Sequence, residues 1–241
     1  MKTQMWHVLD KAAVKNERSF ITALKKYFQS QQDKINKSLE KGIKAATDKP
    51  DELIDWQAED AALLALLTPL WLQSLGEGAS TVNVLFSFGI SEDFLQPKFL
   101  EWIDSFGAEM VTNVNNTTKE KLRTTLSEGI EAGESIPKLR DRVSQVMTEA
   151  KTSRAVKIAR TETHNTVGAG GHETYKAANV QQHEWLTSID GRERDSHASI
   201  NGQIVGINQP FSNGLMYPGD ASGPAEEVVN CRCTELPVLP E

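Results

Sequence analysis

The chain has 241 residues, 39% of them hydrophobic and 24% charged, with a formal net charge of −7 and two cysteines. That is enough chain to bury a real core, as one large domain or two small ones. The balance is globular, and it excludes a disordered chain, a disulfide scaffold and a protein that coats itself in nucleic acid. The longest apolar run, Ala61 to Leu72, is broken by Thr68 and Pro69 and is shorter than the roughly 20 residues a bilayer requires. The start MKTQMWHVLDKAAVKNE lacks an apolar stretch with a small-residue cleavage site, so a soluble protein made in a cytosol is expected.

Residues from about Lys11 to Ala46 predict one long polar helix, with Phe20, Leu24, Tyr27, Phe28, Gln31 and Ile35 at spacings of three and four. So narrow a stripe leans on a partner helix or another subunit. Asp48-Lys49-Pro50-Asp51 is a break, and Asp51 is placed to cap a second helix running through Leu53, Ile54, Ala61, Leu64 and Leu67 towards Trp71. Gly76, Gly78 and Ser80 are expected to close it. Periodicity does not decide whether the following TVNVLFSFGI is a strand or a loop. Ser91-Glu92-Asp93 opens a third helix carrying Phe94, Leu95, Phe99, Trp102, Ile103 and Phe106.

After an expected break at Asn113–Asn116, Thr117 and Glu120 fit a capping box for a helix striped by Leu122, Leu126 and Ile130 and ended by Gly129 and Gly133. Ser135 caps the next, with Pro137 in its first turn and Ile136, Leu139, Val143 and Val146 facing inward. A further helix runs from Thr152 or Ser153 to about Ala178. It carries Gly168, Gly170 and Gly171, each costing about 1 kcal/mol relative to alanine, so either another backbone packs tightly there or the helix bends.

From Ile136 to Arg160 seven bases stand against two acids, a local balance of +5. One reading is a solvated helix face. The other is a patch for DNA phosphates or an acidic partner, formed by Lys138, Arg140, Arg142, Lys151, Arg154 and Lys157.

From Gln181 the pattern shifts. HEWLTSI alternates like a strand and ends at an Asp190-Gly191 turn. Asp195 is placed to cap a single turn, SHASI, closed by Asn201-Gly202, and QIVGI reads as a second strand. The stretch from Asn208 to Gly223 is too long for a passive connection. A helical turn then leads to a final strand, RCTELPVL. The fold class predicted is α+β, mainly α: an N-terminal helical region over residues 1–115, then a small C-terminal α+β module over 116–241 with a short antiparallel sheet.

Chemistry-bearing residues crowd this module: four of the five histidines lie between His164 and His197, and both cysteines stand at 231 and 233. Spaced C-x-C, the cysteines cannot bridge each other without strain. No Walker-type glycine loop, G-x-S-x-G elbow or H-E-x-x-H is present, and Gly168 to Gly171 lie within a predicted helix rather than after a strand. The expectation is a protein that is not an enzyme, with a Cys–His thiolate nucleophile as the form a catalytic reading would take.

Several pieces recur in a specific order. They are a helix opened by Gly133 and Ser135, IARTETHN from Ile158 to Asn165, Trp185 with Asp190, Arg194 with His197, Asn201-Gly202, Phe211, Tyr217 to Asp220, and Asn230-Cys231-Arg232-Cys233. In these the chain, from about Thr117 to Cys233, resembles the phage Mu F-like head-morphogenesis family, the minor head proteins of tailed bacteriophages. The resemblance implies a minor virion component inside the head near the portal vertex, present in the host cytoplasm during assembly. It also implies portal and capsid or scaffold proteins as partners, with phage DNA a further one, and a part in DNA packaging or ejection; no membrane is involved. Residues 1–115 are expected to dock on portal or capsid, and 116–241 to form the head-morphogenesis domain. An effector module, metal-binding or hydrolytic and carried in the phage head, is the alternative.

Arg194 and Val228 stand where the family pattern has metal-ligand residue types, so two readings of the site remain. In one, His197, Cys231 and Cys233 hold zinc, with Asp190 or His183 as a fourth ligand. In the preferred one no cofactor is bound, and Arg160, Glu162, Asn165, Asp190, Arg194, His197, Asn230 and Arg232 form a polar staple. There Arg194 pairs with Asp190 or Glu162, His197 bonds a backbone carbonyl, and the cysteines are simply buried. The preference rests on arginine being able to replace a metal by an ion pair and unable to be a ligand.

Overall fold

The structure, a computed structural model, describes residues 2–40 and 53–240. Its elements are α1 (Lys2–Glu40), α2 (Trp56–Phe86), α3 (Glu92–Glu131), α4 (Ile136–Glu149), a π-turn (Ala150–Arg154), α5 (Ala155–Ala177), β1 (Gln182–Leu186), α6 (Asp195–Ser199), β2 (Ile204–Gly206), α7 (Ala225–Val228) and β3 (Thr234–Val238). The sheet is antiparallel with order β2-β1-β3, Glu184 facing Ile204 on one side and Leu236 on the other. The protein is α+β and mainly α, as the sequence pattern predicts. No helix among the described residues is long and apolar enough to cross a membrane.

The helices are longer than local signals suggest. The first begins at Lys2; the Asp48–Asp51 break and the cap at Asp51 lie outside the described residues. Leu53 and Ile54 precede α2. Gly76, Gly78 and Ser80 do not end α2, which runs to Phe86 and takes in most of the stretch that periodicity left undecided. Its glycines serve packing instead. A Cβ on Gly78 would lie 2.1 Å from the Val167 carbonyl oxygen, and one on Gly170 would lie 2.0 Å from that of Leu75. The α2 and α5 backbones therefore meet through paired glycines, where tight backbone packing is what α5 requires.

Nor is there a break at Asn113–Asn116. Asn115 is buried inside α3 and accepts hydrogen bonds from Tyr27 Oη (2.8 Å) and Gln31 Nε2 (3.0 Å) while donating to Asp60 Oδ1 (2.7 Å). These tertiary bonds outweigh asparagine's weak helix propensity. The capping box at Thr117 does not form; that hydroxyl bonds back to the Asn113 carbonyl within the helix (2.9 Å). Gly129 stays inside α3, which ends at Glu131, and Gly133 follows with φ +68° as a helix-terminating glycine. Ser135 precedes α4 without a side-chain cap bond, and α4 passes through the π-turn into α5 with no restart at Thr152. Asp195 is the first residue of α6 rather than its cap.

The chain forms two compact units that do not follow the boundary at residue 115; each takes chain from both sides of it. One comprises Met1–Phe20, Pro69–Phe106 and Lys157–Glu241, and the other Ile21–Thr68 and Gly107–Val156. The second is a helical body with Leu24, Phe28, Ile35, Leu63, Leu67, Val111, Leu126, Leu139 and Val143 buried. The first holds the sheet and two apolar clusters. Trp6, Leu9, Val82, Tyr175, Val180, Leu186, Ile207 and Leu236 form one; Trp185, Ile200, Phe211, Leu215, Val228, Cys231 and Cys233 form the other.

Candidate functional site

Strands β1 and β3 bring the C-terminal chemistry together. The stretch from Asn230 to Cys233 enters β3, and Asn230 with φ +59° turns the chain so that its N–H meets Thr161 Oγ1 (3.0 Å). Arg160, Asp190, Arg194, His197, Asn230, Cys231, Arg232 and Cys233 then line one cavity of about 240 Å³. Six of the eight expected polar residues line it, Glu162 and Asn165 do not, and the bonds among them differ from those expected.

Arg232 is the hub. Its guanidinium makes three bonds to the Asp10 carboxylate (2.8 to 3.1 Å) and one to Asp190 Oδ2 (2.5 Å), while its carbonyl accepts from Trp6 Nε1 (2.9 Å). Burial pulls its pKa down, but the hydrogen bonds and charges of Asp10 and Asp190 outweigh that and raise it. Arg160 lies 3.7 Å from Glu17, whose own pKa is raised by burial against the pull of Arg160 and Arg232. His164 is held neutral, its pKa pushed down to about 3 by burial and then by Arg232 and Arg160.

The staple therefore reaches the first helix, through Asp10 and Glu17, which sequence reasoning missed. Asp10 is 222 residues from Arg232, and nothing local marks it.

Three expected pairings are corrected. Arg194 pairs with neither Asp190 nor Glu162; it donates to the Val229 carbonyl, because Arg232 already holds Asp190. Glu162 faces the other way, accepting from Trp71 Nε1 (2.8 Å), and burial pushes its pKa up to about 7 against that hydrogen bond. His197 bonds no backbone carbonyl through its ring; its Nε2 meets Glu227 Oε2 at 2.8 Å. Asn165, with its amide nitrogen turned towards two carbonyls, donates to Thr161 and Gly219 (3.0 Å each) and so ties α5 to the loop before α7.

His197 Nδ1 faces two sulfurs, Cys233 Sγ at 3.4 Å and Cys231 Sγ at 3.7 Å, and all three residues are buried. The Cys231 thiol stands close enough to donate to Cys233. That contact, with the His197 ring and the Ser188 backbone, lowers the Cys233 pKa against burial and raises that of Cys231. Neither fourth ligand expected from sequence joins them. Asp190 belongs to Arg232, and His183 to a separate buried group in which His172 Nδ1 and His183 Nδ1 both bond the Glu235 carboxylate.

Of the basic residues, Arg142 bonds Glu134 (2.7 and 3.0 Å) and Arg154 bonds Thr118 and the Val114 carbonyl (3.1 Å each) beneath the Phe28 ring. Arg140 pairs with Glu40, and Lys151 bonds Gln29 and Gln32. Lys138 and Lys157 are exposed.

The stretch that holds these residues, from Thr161 and Asn165 to Cys233, lies within residues 120–236, which match the family model of the Phage Mu protein F like protein. Over residues 120–236 the chain is similar to that family. The matched stretch covers the α3 end, α4, α5, β1, β2 and β3 as far as Leu236. Among curated proteins, the chain is 28% identical over 152 residues to the minor head protein GP7 of Bacillus phage SPP1, covering 59% of this chain and 44% of that protein. It is 26% identical over 153 residues to an uncharacterized protein, YqbB, of Bacillus subtilis (60% and 50% covered). It is also 33% identical over 102 residues to the NAD(+)--arginine ADP-ribosyltransferase EFV of Enterococcus faecalis (38% and 20% covered). The chain spans half or less of the length of these relatives. No solved structure matches it.

Proposed function

We propose that this chain is a minor head protein of a tailed bacteriophage or prophage that acts in head morphogenesis at the portal vertex and assists DNA packaging or ejection. The observation that carries the reading is the Mu F-like match over residues 120–236, beside the 28% identity over 152 residues to a phage minor head protein. The site geometry is consistent with it. Arg232, Asp190, Asn165 and Asn230 are engaged in crosslinks between distant parts of the chain, as suits a part that must keep its shape among neighbours.

In this reading docking on portal or capsid subunits is assigned to residues 1–115 and the head-morphogenesis role to 116–241, a division of the sequence rather than of the compact units. The protein is made in the host cytoplasm and ends inside the head, without turning over substrate. DNA contact falls to the basic run, with Lys138, Arg140 and Lys157 its exposed members. Binding through phosphates would weaken steeply as salt rises.

The test is mass spectrometry of particles produced from the genome that encodes the chain, with and without the gene disrupted. The reading predicts a few copies per particle and a loss of infectious heads on disruption; particles lacking the protein and normal without it would end the reading. The similarity to an ADP-ribosyltransferase favours a second reading, an effector module carried in the head. Recovery of the protein inside newly infected cells, rather than in emptied particles, would support that reading over the first.

A further inference from the structure

We propose that His197, Cys231 and Cys233 bind one zinc ion, with Glu227 orienting the imidazole and the fourth coordination position open to the adjoining cavity. This is independent of the head-protein reading and rests on geometry. With Zn–N near 2.0 Å and Zn–S near 2.3 Å, tetrahedral coordination separates a nitrogen from a sulfur by about 3.5 Å. The two observed separations, 3.4 and 3.7 Å, bracket that value.

The chemistry of each donor fits. Glu227 Oε2 accepts from His197 Nε2, fixing the proton there and turning the Nδ1 lone pair towards the sulfurs, the arrangement in which a carboxylate steers a metal-bound imidazole. Ser196 and Asn213 hold the same carboxylate oxygen, so the orienting group is itself positioned. Two thiols and an imidazole are soft to borderline donors, suited to Zn²⁺ rather than Mg²⁺ or Ca²⁺. Binding displaces a proton from each thiol still protonated, and the ion takes the place of the contact between the two sulfurs.

Among the described residues these three are the ones whose ligand atoms gather here, which leaves one tetrahedral position for water or a small anion. Arg194, whose presence favoured a metal-free staple, is not in the ligand set. It bonds the Val229 carbonyl and fixes the approach to Asn230-Cys231, so its inability to ligate does not count against the metal.

The experiment uses the full chain. Zinc content is measured after removal of loosely held metal, and the zinc is exchanged for Co²⁺. The expected results are one ion per chain, a sulfur-to-cobalt charge-transfer band with tetrahedral visible bands, and a shift of those bands on adding azide. Glu227→Gln should weaken zinc binding 10- to 100-fold in a chelator competition while the fold is kept. Cys233→Ser and His197→Ala should remove the charge-transfer spectrum or alter it. A wild-type chain that takes up no zinc and gives no cobalt–thiolate band overturns the proposal, whatever the variants do. Cobalt bands unmoved by azide overturn the open position. Unchanged affinity in Glu227→Gln overturns the role of Glu227.

Discussion

His183 on β1 and His197 on α6 are both buried in the sheet module, at 0% and 1% exposure, yet their nitrogens face different chemistry. His183 and His172 direct Nδ1 at the two oxygens of Glu235, and His172 stacks on Tyr217, with ring centroids 4.8 Å apart. His197 gives its outer nitrogen to a carboxylate and keeps Nδ1 for two sulfurs. The same side chain thus bonds a buried carboxylate through Nδ1 in one cluster and turns Nδ1 to sulfur in the other. What decides is which nitrogen the carboxylate takes, not how many histidines gather.

The largest effect is expected from breaking the Glu235 cluster. Glu235 is fully buried, and burial alone would raise its pKa, but the two imidazoles outweigh that and hold it below the ordinary range. Removing one partner of such a buried group costs about 3–5 kcal/mol. Glu235→Gln should therefore lose that much in urea denaturation, and a loss under about 1 kcal/mol would place the cluster outside the account.

The ligand cluster should respond to metal instead. With zinc at 100 times its dissociation constant, chelation should lower wild-type stability by about 2.7 kcal/mol. His197→Ala should be insensitive to the chelator; sensitivity retained in that variant would break the contrast between the two clusters.

A third buried group sharpens the comparison, because Glu162 is a carboxylate with a Trp71 indole and no imidazole beside it. Its pKa is raised to about 7 from an ordinary 4.5. Between those values the folded state binds more protons than the unfolded one, so stability falls as pH rises from about 4.5 through about 7 and then levels off. Glu162→Gln keeps an acceptor for Trp71 and removes this slope. It should gain on the order of 2 kcal/mol relative to wild type between pH 5 and pH 8 in thermal melts. A pH-independent difference would contradict a protonated Glu162.

The smallest effect belongs to Arg232, which is partly exposed at 24% of its side chain. Arg232→Lys loses the forked contact to Asp10 and should cost about 1–2 kcal/mol, read from urea denaturation. A neutral outcome would remove Arg232 as the hub.

Much of the C-terminal module was legible because its signals are local. The alternation of HEWLTSI, the Asp190-Gly191 and Asn201-Gly202 turns and the glycines of α5 each report their own surroundings. Gly191 and Gly202 do take φ +71° and +82°. The helical part was less legible where tertiary contacts override local cues. Asn115 looks like a break until Tyr27 and Gln31 are beside it, and Gly78 looks like a stop until Val167 is. The site divided the same way. His197 and both cysteines could be named from residue type, but Glu227, Glu235, Asp10 and Glu17 could not. A carboxylate in sequence carries no mark of which imidazole or guanidinium it will face.

X-ray absorption at the zinc edge of the zinc-loaded full-length protein tests the contrast between the clusters most directly. The account predicts two sulfur scatterers near 2.3 Å and two nitrogen or oxygen scatterers near 2.0 Å. A shell of nitrogen and oxygen alone would place the metal with His172, His183 and Glu235 and contradict it.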